Sequence, residues 1–456
     1  MMKIVKMMAM LSVCAMLLVG IALPTSAASE KRYTLPEDTT LHAASAVVVA
    51  LGPNKEDDQI LFERDADVIR APGAMVRIAV GMTALSIIEE EELDMDKVTG
   101  TYTESCRTSI AGTQLATVGM NIGEVWTLRD LLVISMITTA ADAAQTLAVT
   151  LCETDREFVK RMNEWVKSVG CTDTVFNGVH GLDHASQTTT ARDMYHILRA
   201  AVGNHYMEEW LSATSHYVRP VKKGSKRTYS TVNELLKPNS PEYYAALSFG
   251  RSGYTSRAGR CMASVARAEG YEYLVIVMGC PNVVTGLTDG TTHFADTRTL
   301  YRWAFRNFAY QAVVGKDDPI TRVPVNYAWA TDSVTLVAEK NLTLVAPDTM
   351  DFTALRREID IPASLDAPIK KGDRIGTVQL YTEEDQLVGE VGLIAAESVS
   401  RSLPVYWWVQ LGRFIRSPWV YGGAALIGLL IVGYVLLNLY HNDKRRAGGN
   451  KRVKFK

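Results

Sequence analysis

The spacing of apolar residues changes along the chain, and each change marks an element. Between Ser45 and Phe62 the runs AVVVAL and QILFE read as two short strands. GPNKEDD between them carries the glycine, proline, asparagine and acid of a turn. RDADVIRAPG follows as a loop. Residues 74–89 then have helical length and are apolar on nearly every side apart from Arg77, which marks a central helix rather than a surface one. The acidic run Glu89 to Glu92 ends that helix as a solvated face with no metal role.

WTLRDLLVISMITTAADAAQTLAVTL reads as one helix starting at a Thr127 N-cap, with Asp130 three residues on. REFVKRMNEWVKSVG is amphipathic and closes on Gly170, and TARDMYHILRAAV is a further helix. RCMASVAR and YEYLVIVMG form an antiparallel hairpin around AEG, and TRTLYRWAFRNF is a last helix. Strands at both ends of a helical middle predict an α+β domain. From Val323 to Val399 the pattern becomes strand alternation broken by glycine and acidic turns, which predicts a small all-β sandwich beyond a boundary near Gly315 to Pro319.

Both ends of the chain carry apolar runs of another kind. Lys3 and Lys6 precede MMAMLSVCAMLLVGIALP and the small residues TSAAS, the layout of a signal peptide over residues 1–28. Residues 419–440 hold no charge and, at about 1.5 Å per residue, are long enough to cross a bilayer. Trp419 and Tyr440 stand at their ends as interface anchors, and YWW at Tyr406 to Trp408 lies close by, at the outer bilayer surface. The basic tail 441–456 is expected in the cytoplasm, leaving the bulk of the chain outside the cell membrane on a single span.

Composition adds exclusions. With 21% charged residues and a formal charge of -2, nothing points to nucleic acid as a partner. Cys106, Cys152, Cys171, Cys261 and Cys280 remain after signal removal, none in a C-x-x-C spacing, and no H-E-x-x-H occurs. Neither a metal site nor any other cofactor is expected. The cysteines read as small buried residues rather than a disulfide framework.

Several blocks occur in one order. DADVIRAPGAMVRIAVGMTAL, MITTAADAAQTLA, FNGVHGLD, TTARDM, FGRSGYTSRAGRCMASVARAEG and APIKKGDRIGTVQLYTEEDQLVGEVGLIAAESV together resemble the D-alanyl-D-alanine carboxypeptidases, the low-molecular-mass penicillin-binding proteins of serine-peptidase S11 type. The resemblance implies a penicillin-binding-protein/β-lactamase-like transpeptidase domain, an antiparallel sheet with a helical cluster, over residues 29–315. It further implies a β domain over residues 319–403.

The catalytic motifs depart from that family. Its S-x-x-K motif places a serine nucleophile at a helix start and a lysine base one turn on. Those positions are Ala74 and Arg77 here. Alanine has no nucleophilic atom, and arginine holds its proton. The family's Ser-x-Asn becomes Thr139-Ala140-Ala141, keeping a hydroxyl at Thr139 and losing the amide at Ala141. Asp142 follows as a structural residue. Lys-Thr-Gly becomes Arg251-Ser252-Gly253, which retains a cation, a hydroxyl and a glycine. The resemblance therefore implies that Arg251 pairs with a substrate carboxylate in bidentate fashion and that Gly253 lets backbone approach a ligand. Ser135, Thr138 and Ser252 are the neighbouring hydroxyls, none with a lysine or histidine at helical spacing. His180 reads as a hydrogen-bonded structural residue. The resulting expectation is a catalytically inactive homologue that binds peptidoglycan stem peptide or an envelope protein. The alternatives are an active serine-type carboxypeptidase and a scaffolding module with a vestigial cleft.

Overall fold

The structure is a computed structural model. It describes residues 33–448 apart from residues 114, 348–351, 353–354, 382–384 and 386. The expected signal peptide lies outside the described residues, as does the tail beyond Gly448. The chain divides into two compact units, Met1–Gln311 with Val345–Asp351, and Ala312–Leu344 with Phe352–Lys456.

The first unit is built on a five-stranded antiparallel sheet ordered Gln59–Arg64, Ser45–Ala50, Tyr271–Cys280, Gly259–Ala268, Leu247–Thr255. The N-terminal hairpin thus pairs with a strand more than two hundred residues away in sequence. Ser45–Ala50 is buried along its whole length because both faces are covered. Val47 and Val49 face a cluster with Ile78, Leu131 and Leu147. Ala46 and Val48 face a second cluster with Leu300, Tyr301 and Ala304 from the helix Thr292–Asn307. The Val76–Glu90 helix runs through the middle of the first cluster, and its apolar circumference is explained by that position.

The long helix expected from Thr127 onward is in fact two. Leu128–Ile137 starts at the expected cap, with the Thr127 hydroxyl accepting the Asp130 N–H at 3.1 Å. It stops at Thr138, and Ala141–Cys152 begins after a break. At the break the Thr138 hydroxyl donates to the Ile134 carbonyl at 2.6 Å and accepts the Ala140 N–H at 3.1 Å, which closes one helix and starts the next. Apolar periodicity continues across this junction, so it gives no sign of the interruption. The last helix of the unit begins at Thr292 rather than Thr297. The added turn brings in Asp296, which accepts the His42 N–H at 2.8 Å, the Ala43 N–H at 2.6 Å, and pairs with His42 Nδ1 at 2.9 Å.

The second unit is all-β in its ordered core. Its six-stranded sheet runs Arg356–Asp360, Arg374–Tyr381, Leu387–Ala395, Ser333–Ala338, Pro319–Asn326, Leu365–Asp366. Val323, Val334, Leu336, Val378, Leu380, Val391 and Leu393 fill it from alternating positions. Beyond it lie the helices Leu403–Ile415 and Pro418–Gly448. Residues Pro418–Asn442, 25 in number with mean hydropathy 2.2 and none buried, are long and apolar enough to cross a membrane.

Asp296 is 1% exposed and satisfies two backbone donors of the chain entering the first strand. Asp296→Ala leaves those N–H groups without their acceptor and is expected to destabilise the first unit by about 2–4 kcal/mol. Urea denaturation of the two proteins measures this, and an unchanged midpoint refutes the assignment.

Candidate functional site

A cleft of about 750 Å³ in the first unit collects the motif positions. Its walls include Ala74, Thr139, His180, Ser252 and Gly253, with Asp183, Glu234, Arg260, Thr291 and His293 around them. Ala74 sits in a 3-10 turn, Gly73–Met75, that feeds straight into the Val76–Glu90 helix. Ser252 and Gly253 come from the edge strand Leu247–Thr255, and Thr139 comes from the helix break. Residues separated by more than a hundred positions therefore meet around one opening.

The edge strand presses directly on the turn. A Cβ built at Gly253 would stand 2.7 Å from the Ala74 backbone nitrogen. The glycine expected to let backbone approach a ligand is thus needed for the strand to approach the turn. At Ala74 the cleft meets a methyl group, which carries no nucleophilic oxygen.

Arg77 and Arg251 lie behind this wall rather than in it. Arg77 is fully buried; its Nη2 makes one long contact of 3.5 Å with the Thr139 carbonyl. Its Nε and Nη1 have no hydrogen-bond partner among the described residues. Burial lowers its pKa to about 10, with Asp142 opposing that shift. Arg251, 1% exposed, donates from Nη1 to the Met136 carbonyl at 2.6 Å, from Nη2 to the Thr138 carbonyl, and from Nε to the Ala74 carbonyl at 3.5 Å. The expected bidentate carboxylate pairing of Arg251 has no counterpart here, because its donors are turned to backbone carbonyls. Burial, then the Arg77 charge, lowers its pKa to about 9. Both guanidiniums remain protonated at neutral pH, so neither is a proton acceptor there.

Asp142 is 1% exposed and accepts the N–H groups of Val118, Met120 and Ala143 at 3.0–3.1 Å. It starts the Ala141–Cys152 helix and pins the segment beside the cleft. Ala141 is fully buried, its N–H bound to the Ala116 carbonyl at 2.8 Å, and offers the cleft nothing. Among the hydroxyls, Thr139 and Ser252 line the cleft. Ser135 is fully buried, and that of Thr138 is used in the helix break. His180 lines the cleft, yet its Nδ1 is buried without a partner among the described residues, unlike the hydrogen-bonded residue expected. Burial first, then the Arg77 charge, pushes its pKa down to about 4, so the ring is neutral at pH 7.

Arg260 and His293 were not singled out by the sequence. The register that pairs Tyr254 with Arg260 across the hairpin is what brings Arg260 to the cleft. RCMASVAR begins at Arg260, so the strand was legible while its pairing with the motif strand was not. No group of three or more His, Cys, Asp or Glu side chains that could hold a metal ion occurs among the described residues.

An antiparallel sheet with a helical cluster, and a cleft between a helix-initiating turn and an edge strand, are the architecture of the penicillin-binding-protein transpeptidase domain. The chain belongs to the D-alanyl-D-alanine carboxypeptidase family, which it matches over residues 31–282; residues 308–401 match the C-terminal domain of penicillin-binding protein 5. It is 21% identical over 390 residues to the D-alanyl-D-alanine carboxypeptidase DacF of Bacillus subtilis, covering 85% of this chain and 94% of that one. To DacB2 of Mycobacterium tuberculosis it is 29% identical over 279 residues, covering 59% of this chain and 88% of that one. The structure of penicillin-binding protein 5 from Haemophilus influenzae superposes with a TM-score of 0.64 at 19% identity, covering 81% of this chain and 100% of that one. The protein is accordingly a D-Ala-D-Ala carboxypeptidase homologue of peptidoglycan metabolism.

His180 supplies a pH test of this geometry. Its folded pKa lies below the ordinary 6.5, so the stability tied to the neutral ring is fully present above about 6.5 and is lost as pH falls through about 4. The loss amounts to no more than about 3 kcal/mol. His180→Gln is expected to flatten the stability profile between those pH values, measured by denaturant titration. Parallel profiles for the two proteins refute the buried, neutral assignment.

Proposed function

We propose that the protein is a membrane-tethered carboxypeptidase homologue without hydrolytic activity, which binds the D-Ala-D-Ala end of stem peptides in the cleft beside Ala74. The supporting observation is the composition of that cleft wall. Acyl transfer by this family's route needs a nucleophilic oxygen at the turn and a neutral base one helical turn on. Ala74 offers a methyl group, and Arg77 is a fully buried cation outside the cleft lining. Binding remains available because the opening is not filled by side chains and keeps Ser252 and the strand backbone along one side. That openness favours a ligand-binding role over a purely scaffolding one.

The same reading has the bulk of the chain outside the cell, with the apolar span 419–440 of the Pro418–Gly448 helix crossing the membrane and the basic tail 441–456 in the cytoplasm. Trp407, Trp408, Leu411 and Phe414 are exposed on the preceding helix and suit an interfacial position. An active enzyme is the competing reading, carried by the Thr139 and Ser252 hydroxyls that line the cleft.

The deciding experiment incubates the full chain in detergent with a labelled penicillin and with diacetyl-Lys-D-Ala-D-Ala. Mass spectrometry then reads covalent adduct and released D-alanine. The expected outcome is neither product, together with reversible peptide binding. An adduct on Thr139 or Ser252, or steady D-alanine release, overturns the inactive reading. A folded protein that binds no peptide leaves the scaffold role in its place.

A further inference from the structure

The cleft needs a carboxylate anchor if it holds a peptide C-terminus, and Arg251 is turned elsewhere. Among the described cleft-lining residues, Arg260 is the one lysine or arginine. Its position is fixed from several directions. Nε donates to Asn282 Oδ1 at 2.8 Å. The guanidinium carbon lies 4.2 Å from the centroid of the Tyr254 ring, the residue facing it across the hairpin. Gly290, at φ +80°, makes room for it, since a Cβ there would stand 2.7 Å from Nη2. Nη1 and Nη2 have no hydrogen-bond partner among the described residues. The arrangement is a guanidinium held flat and oriented, with its outer fork unused.

A second, independent observation lies against it. The helix Thr292–Asn307 starts at the cleft with no side chain capping its first turn. The N–H groups of Phe294 and Ala295 donate to the Thr291 carbonyl, which leaves those of Thr292 and His293 without a partner among the described residues, and these with the helix dipole favour an anion. His293, in that turn, lines the cleft, is 2% exposed, and keeps an unpartnered Nδ1. Burial, then the Arg260 charge, pushes the His293 pKa down to about 3, so the ring stays neutral and is a hydrogen-bonding group rather than a competing cation.

We propose that Arg260, with the first turn of the Thr292–Asn307 helix and His293, anchors the terminal carboxylate of the bound peptide. The inference rests on the ligand reading given above and names the residue that confers its preference for a free C-terminus. Arg251 holds the wall in shape, while Arg260 meets the ligand. Asp183, Glu234 and Asp289 also line the cleft, so Arg260 is the one guanidinium or ammonium among the described lining residues that offsets their charge for a bound anion.

The test titrates diacetyl-Lys-D-Ala-D-Ala and its C-terminal amide into the full chain in detergent, by calorimetry, for the parent, Arg260→Gln and Arg260→Lys. The parent is expected to prefer the free acid by about tenfold or more, the range of a charge-assisted hydrogen bond. Arg260→Gln is expected to bind acid and amide alike, and Arg260→Lys to recover part of the preference. Thermal melts confirm that each variant is folded. A parent that prefers the acid while Arg260→Gln keeps the same preference refutes the anchor and leaves the ligand reading standing. Equal binding of acid and amide by the parent does likewise. A parent that binds neither peptide overturns the ligand reading, and the anchor with it.

Discussion

The Arg251 guanidinium holds together three pieces of chain that the cleft depends on. It extends from the edge strand to the Met136 and Thr138 carbonyls at the helix break, and to the Ala74 carbonyl in the 3-10 turn. A helix C-terminus presents carbonyls without intrahelical partners and carries partial negative charge. A planar group with a fork of donors satisfies such carbonyls where a point-charged ammonium would reach fewer of them. The cation therefore lies buried without a carboxylate in contact, and the carbonyls lie buried without water. The tight approach at Gly253 follows, because strand and turn are drawn together at that point.

Arg77 shows the other side of that arrangement. It is as deeply buried as Arg251 but has only one long hydrogen bond among the described residues, and its charge adds to burial in lowering the proton affinity of Arg251. Asp142 offsets part of this from the start of the Ala141–Cys152 helix, while its oxygens remain committed to backbone N–H groups. Burial first, and the Arg77 charge second, keep His180 neutral. Burial of unpaired polar nitrogens costs stability. The surrounding helices supply enough apolar contact to keep Arg77 in place, with Ile78, Val80, Ala84 and Leu85 on its own helix all within the core.

The sequence carried the architecture further than it carried the site. The central helix was legible because an all-round apolar run can only be interior, and the β domain because its alternation has a period of two. The helix break at Thr138 was hidden, since LLVISMITTAADAAQTLA stays apolar and alanine-rich across it. What ends the helix is a hydroxyl bonded to its own backbone, a local event with no signature in periodicity. The motif positions were legible from their order along the chain. Where their side chains point was not. Arg251 and Ser252 are neighbours in sequence and alternate across the sheet, so one is turned to the helix break while the other lines the cleft. A strand's alternation can be read from sequence, but which face is the ligand's cannot be read without the partner strand.

That alternation also separates two functions that one short motif would combine. On the inward face, charge serves to hold elements together; on the outward face, backbone, Ser252 and the Tyr254–Arg260 pair form the edge of the cleft. Loss of a nucleophile at position 74 removes one atom from the wall and leaves both faces intact. Restoring it by Ala74→Ser would still leave a hydroxyl beside a buried, protonated Arg77, with no neutral amine to take its proton. On the proposed reading, the reactive function is therefore absent at the level of the interior electrostatics as well as of the single oxygen. The cleft edge formed by Ser252 and the Tyr254–Arg260 pair depends on neither, so on that same reading recognition is kept without the chemistry.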